Sequence, residues 1–194
     1  TRLPQFWTYL YPRMEQDQTI HQYREVITRC RLLFTQKMSD YGHSWRILRP
    51  TSLTDQLLIK AKRIRSIQVA GTQKVEDSVD HDFIGLINYG IMAIIQLRFP
   101  PADDLQSEAD SEILDKYDSI QREIEQLMIA KNHDYGEVWR EMRVSSMTDL
   151  ILMKLLRIKQ IEDQEGRTLV SEGLDANYAD IVNYSIFALI LRQY

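Results

Sequence analysis

The chain has 194 residues, 44% of them hydrophobic and 27% charged, and a formal net charge of −4. That is ordinary globular composition with enough length for a sizeable core, and its mild acidity argues against broad binding to duplex nucleic acid. Cys30 is its single cysteine, which excludes an intrachain disulfide or a Cys-based zinc site and suits a reducing, cytoplasmic setting.

Residues 1–18 include Pro4 and Pro12 and show no clean hydrophobic period, so an N-terminal arm or short leading helix is expected there. From Thr19 the apolar residues fall at Ile20, Tyr23, Ile27, Cys30, Phe34 and Met38. That spacing of three and four predicts an amphipathic helix. It should stop at Asp40-Tyr41-Gly42, because glycine takes the left-handed conformation at no steric cost. A connector with Trp45, Arg46 and Arg49 follows. Ser52-x-x-Asp55 then has a capping-box pattern at the head of a second helix that should end near Ser66. Gly71 marks a loop, and a third helix is expected over residues 80–98.

Residues 99–108, with Pro100 and Pro101, read as a linker. The pattern then recurs. Residues 37–67 align without a gap to residues 131–161, and about half of the positions are identical. After one inserted residue the match resumes at Asp80/Asp175 and at Asn88-Tyr89/Asn183-Tyr184. The expected architecture is therefore all-α: a repeat over 19–98 and a second over 109–194, each of three helices. Three short helices make a thin core by themselves, so the two units should pack as a pseudo-two-fold helical bundle. No apolar run is long enough to span about 30 Å of bilayer, so no membrane association is expected. The pattern leaves self-association open.

Many of the residues shared by the two copies are polar. Lys37, Arg46, Arg49, Lys60 and Arg63 recur as Lys131, Arg140, Arg143, Lys154 and Arg157. Lys60 and Arg63 are three apart and share a helix face. Such clusters suit phosphate, with arginine bidentate and lysine a point charge; they equally suit ion pairs to Asp40, Asp55 and their counterparts. Tyr41 and Tyr135 could stack on a base, whereas Trp45 and Trp139 read as core. Asp180, Asp175 and Asp134 are candidate ligands for a magnesium ion, with Asp175 and Asp80 also read as caps of the third helix. Repeat 1 has Gly85 where repeat 2 has Asp180, and offers Asp77, Asp80 and Asp82 nearby. Any catalysis is thus expected to lean on repeat 2. The histidines do not recur, so no shared histidine mechanism is expected.

The K-x-x-D-Y-G-x-x-W, S-x-T-D-x-x-x-x-K-x-x-R and D-x-x-N-Y motifs resemble the nucleotide modification associated domain 1 family, over about 19–98 and again 109–192. The resemblance implies a theme of nucleotide or DNA-base modification. A looser similarity is to MazG-like all-α nucleoside triphosphate pyrophosphohydrolases, which hold magnesium between E-x-x-E and E-x-x-D. Here Asp180-x-x-Asn183 is similar to the second element, while the first position carries Lys60 and Arg63. Two main functions are expected to compete. One is a nucleotide-binding protein, with magnesium-dependent phosphohydrolysis as its catalytic form. The other is a helical adaptor whose repeated charges are structural ion pairs. Single-stranded nucleic acid binding ranks third.

Overall fold

Glycine and proline set the helix ends. In this computed structural model the backbone is described for residues 5–72, 74, 78–167 and 172–193, and the side chains for those residues other than 5–16 and Gln106. Among the described residues there are six α-helices and no strand. They are α1 (Gln5–Tyr41), α2 (Pro50–Ala70), α3 (Val79–Arg98), α4 (Asp110–Tyr135), α5 (Val144–Asp163) and α6 (Leu174–Gln193). A short 3-10 turn joins α1 to α2 at Ser44–Ile47 and α4 to α5 at Val138–Glu141. Gly42 and Gly136 have positive φ, as the Asp-Tyr-Gly motif requires.

Three local expectations are corrected. The helix expected from Thr19 begins at Gln5 and passes through Pro12, so residues 5–18 extend α1 instead of forming a separate arm; residues 1–4 lie outside the described residues. Internal proline removes one backbone hydrogen bond, which the long helix around it tolerates. Ser52 and Asp55 do not form a capping box. The N-cap of α2 is Arg49 with Pro50 next to it, and the N-cap of α5 is Arg143. Proline at the first helical position has a preset φ and lacks only an N–H that would be unpaired there anyway. Asp80 does not cap α3 either: Ser78 does, accepting from the His81 N–H.

The two three-helix repeats pack as one bundle about a pseudo-dyad. Helices α2, α3, α5 and α6 form its centre, and α1 and α4 each lie against both α3 and α6. The central apolar faces are fully removed from water, for example Leu53, Leu57, Phe83, Ile91, Ile151 and Ile186. Each fully buried aliphatic side chain contributes about 1.5–3 kcal/mol. Cys30 belongs to this core, and burial pushes its thiol up to about 12, so it is not a nucleophile.

The polar pairs across the dyad come in mirrored sets. Tyr23 donates to Asn183 at 2.8 Å, and its counterpart Tyr117 donates to Asn88 at 2.8 Å. Thr54 meets Glu162, and Thr148 accepts from Gln68. Asp55 pairs with Lys159, and Asp149 with Arg65. Asp80 pairs with Arg192, and Asp175 with Arg98, arginines that lie one position apart in the alignment of the two copies. This is the reciprocity of a two-fold interface, achieved within one chain. No helix among the described residues is long and apolar enough to cross a membrane.

Candidate functional site

A cleft of about 640 Å³ opens in repeat 1 between α1, the 3-10 turn at Ser44–Ile47, α2 and α3. Its volume lies in the range of small-molecule sites. Lys37 stands on α1 one turn before the Asp-Tyr-Gly turn, and Lys60 reaches in from the middle of α2. Tyr41, Trp45 and Tyr89 supply aromatic surface. Trp45 is half-buried and meets Phe34 edge-on with centroids 6.1 Å apart, while Tyr41 is 61% exposed at the rim. Burial, and then the neighbouring Tyr41, raise the Tyr89 phenol, which stays a neutral hydrogen-bonding group.

The two lysines differ in their ties. Lys37 is exposed and has no ion-pair or hydrogen-bond partner among the described residues. Lys60 faces Asp82 at 3.5 Å and lies 5.9 Å from the Tyr89 ring centroid. Asp82 is 5% exposed, and its other oxygen takes Arg63. Arg63 therefore neutralises Asp82 from behind and leaves the Lys60 ammonium turned to the cleft.

Repeat 2 uses the same lysines in the opposite way. Asp180, 6% exposed, holds Lys131 at 2.7 Å on one oxygen and Lys154 at 2.6 Å on the other. Desolvation pulls the Lys131 ammonium down, but its hydrogen bond to Asp180 and the nearby negative charge of Asp180 and Glu172 together outweigh this, and its pKa lies above the ordinary value. The counterpart of Asp180 is Gly85, and the counterpart of Asp82 is Asn177. The carboxylate has thus moved one helical turn between copies. Repeat 2 has a Lys131–Asp180–Lys154 network, so the carboxylate on which chemistry in that repeat was expected to lean is engaged by two lysines.

The remaining candidates divide cleanly. Arg46 is buried, and all five of its N–H groups are used, by Glu108, Gln96 and the carbonyls of Phe99 and Pro100. It clamps the linker and has no donor left for a ligand. Arg140 lies over Trp139 and bonds Glu137, Thr19 and Gln22. Trp139 stacks on Phe187 in the core. Arg49 and Arg143 are exposed at the helix starts, and Arg157 is half-buried without an ion pair. Tyr135 is 77% exposed.

The proposed metal ligands do not assemble. Asp134 is exposed beside His133, and Asp175 pairs with Arg98. Both oxygens of Asp180 face ammonium groups, a donor set for cationic side chains and not for a divalent ion. No three His, Cys, Asp or Glu side chains among the described residues cluster to hold a metal. Asp77 lies outside the described residues. Sequence reasoning underrated Asp82, Tyr89 and Gly85; the Gly85/Asp180 difference was the one signal that pointed to them.

Fold and cleft define a tandem-repeat helical protein with a small-molecule-sized cleft in repeat 1. The sequence model of the nucleotide modification associated domain 1 family matches residues 37–97 and again 131–191, and the chain belongs to that family. No curated protein and no solved structure matches it.

Proposed function

We propose that the repeat-1 cleft binds a nucleotide, with Lys37 and Lys60 at its phosphate and Tyr41, Trp45 and Tyr89 beside its base. The observation that carries this reading is the meeting of an unpaired Lys37, a cleft-facing Lys60 and aromatic surface in one cleft of about 640 Å³. Lysine ammonium groups are point-charge phosphate binders, and aromatic faces accept any base by stacking. Membership of a family named for nucleotide modification supports the same theme.

Binding is the function proposed, not magnesium-dependent hydrolysis, because the acidic residues are spent on lysine and arginine. The adaptor reading draws support from the ion pairs that join the two repeats.

Titration calorimetry with a nucleotide panel tests the proposal. Lys37→Ala should weaken binding about ten-fold or more, the loss of one charged hydrogen bond, and leave the melting temperature unchanged. Lys131→Ala should leave affinity unchanged. If no nucleotide binds, or if Lys37→Ala binds as the parent does, the reading is wrong.

A further inference from the structure

We infer that the ligand class is a nucleoside monophosphate taken up without a metal ion, an inference that rests on the nucleotide reading above. The charge count in the cleft selects it. Among the described residues, four charged groups bear on the phosphate end: Lys37, Lys60, Asp82 and, behind Asp82, Arg63. Arg63 and Asp82 cancel. The two ammonium groups remain, and neither spends a hydrogen bond on the protein. A phosphate monoester carries about −1.5 to −2 at pH 7 and offers three strong acceptor oxygens. Lys37, with no partner among the described residues, and Lys60, held only by its 3.5 Å ion pair to Asp82, match that group in charge and in hydrogen-bonding capacity.

A triphosphate does not match. Its added negative charge is ordinarily met by magnesium held on one or two carboxylates. Among the described residues the one carboxylate lining the cleft, Asp82, faces Arg63 and Lys60, and no group of three acidic, histidine or cysteine side chains gathers there. The apolar wall of Phe34, Met38 and Met92 further restricts polar ligand atoms to the Lys37–Lys60 end.

Gly85 is what keeps that end open. A Cβ at this position would stand 2.5 Å from Lys60 Cε and 2.6 Å from Cδ. Lys60 occupies the space a side chain would take, and Asp82, one turn earlier, draws its ammonium toward the cleft. In repeat 2 the side chain of Asp180 fills the equivalent space and quenches both lysines.

The test is calorimetric titration of the full chain with adenosine, guanosine, cytidine and thymidine 5′-monophosphates, the matching nucleosides and the matching triphosphates. Each is run in EDTA and then with excess magnesium. At least one monophosphate should bind ten-fold or more tightly than its nucleoside, with one site per chain and no gain from magnesium. Lys60→Gln, which leaves Asp82 with Arg63, should erase the monophosphate-over-nucleoside preference. A magnesium triphosphate that binds more tightly than any monophosphate would overturn the inference and leave the nucleotide reading standing. No binding at all, or equal binding of nucleoside and monophosphate, would overturn both.

Discussion

Lys60 runs across Gly85, with its Cδ and Cε in the volume that a β-carbon would fill. Glycine in a helix interior costs roughly 0.5–1 kcal/mol relative to alanine, so the residue forgoes helix stability for room. Gly85→Ala should therefore be close to neutral in stability, because regained propensity offsets moving a flexible side chain. Its nucleotide affinity should fall about ten-fold as Lys60 is displaced. Thermal melting beside a titration separates the two effects, and unchanged affinity would mean that Lys60 does not need this path.

The same lysine carries opposite duties in the two repeats, and conservative removal should show it. Lys154 is 7% exposed and bonded to the buried Asp180. Asp180 would keep only Lys131 in Lys154→Met, which should lose about 3 kcal/mol, the usual cost of breaking a buried pair. Lys60→Met should lose under about 1 kcal/mol, since Asp82 retains Arg63. Urea unfolding of both variants checks this, and equal losses would show that both lysines are structural.

Arg46 and Glu108 make stability depend on acid. The Arg46 hydrogen bond holds the Glu108 carboxyl down to about 2 against desolvation, with help from Lys116. A carboxyl whose pKa is lower in the folded state stabilises fully above its unfolded value and loses that contribution as pH falls. Stability should thus decline from about pH 5 toward pH 2. Arg46→Met should cost about 3 kcal/mol by leaving a carboxylate and carbonyls unpaired, and should flatten the acid-side slope. Guanidinium unfolding at a series of pH values measures both; an unchanged slope would assign the acid sensitivity elsewhere.

Hydrophobic period and the Asp-Tyr-Gly turns made the six helices and the tandem architecture readable before any coordinates. Roles of the shared polar residues were not readable, for a physical reason. Retention in both copies looked like retention of a site. A pseudo-dyad explains much of it without one, because many cross-repeat pairs occur twice. Thr54 and Asp55 recur as Thr148 and Asp149 since each pair bonds the opposite repeat. Asp175, read as a metal ligand, recurs from Asp80 because both pair with an arginine across the dyad. Lys37 and Lys60 differ from these in belonging to no mirrored pair, and that asymmetry appears only once Asp82 and Asp180 are placed one turn apart.

Mirrored bonds also predict mirrored energetics. Tyr23 and Tyr117 are fully buried, and their hydroxyls donate to Asn183 and Asn88. Tyr23→Phe leaves the Asn183 carbonyl oxygen without its donor, and Tyr117→Phe does the same to Asn88, whose amide still donates to the Cys30 carbonyl. Each should cost about 1–3 kcal/mol, the penalty of one unsatisfied buried polar group. Both bonds lie across the dyad and share no partner, so the double variant should lose the sum within about 0.5 kcal/mol. Cooperative urea unfolding of the two singles and the double measures this. If one single lost nothing while the other lost its full share, the two halves of the interface would not be equivalent, and the dyad would be a feature of the backbone alone.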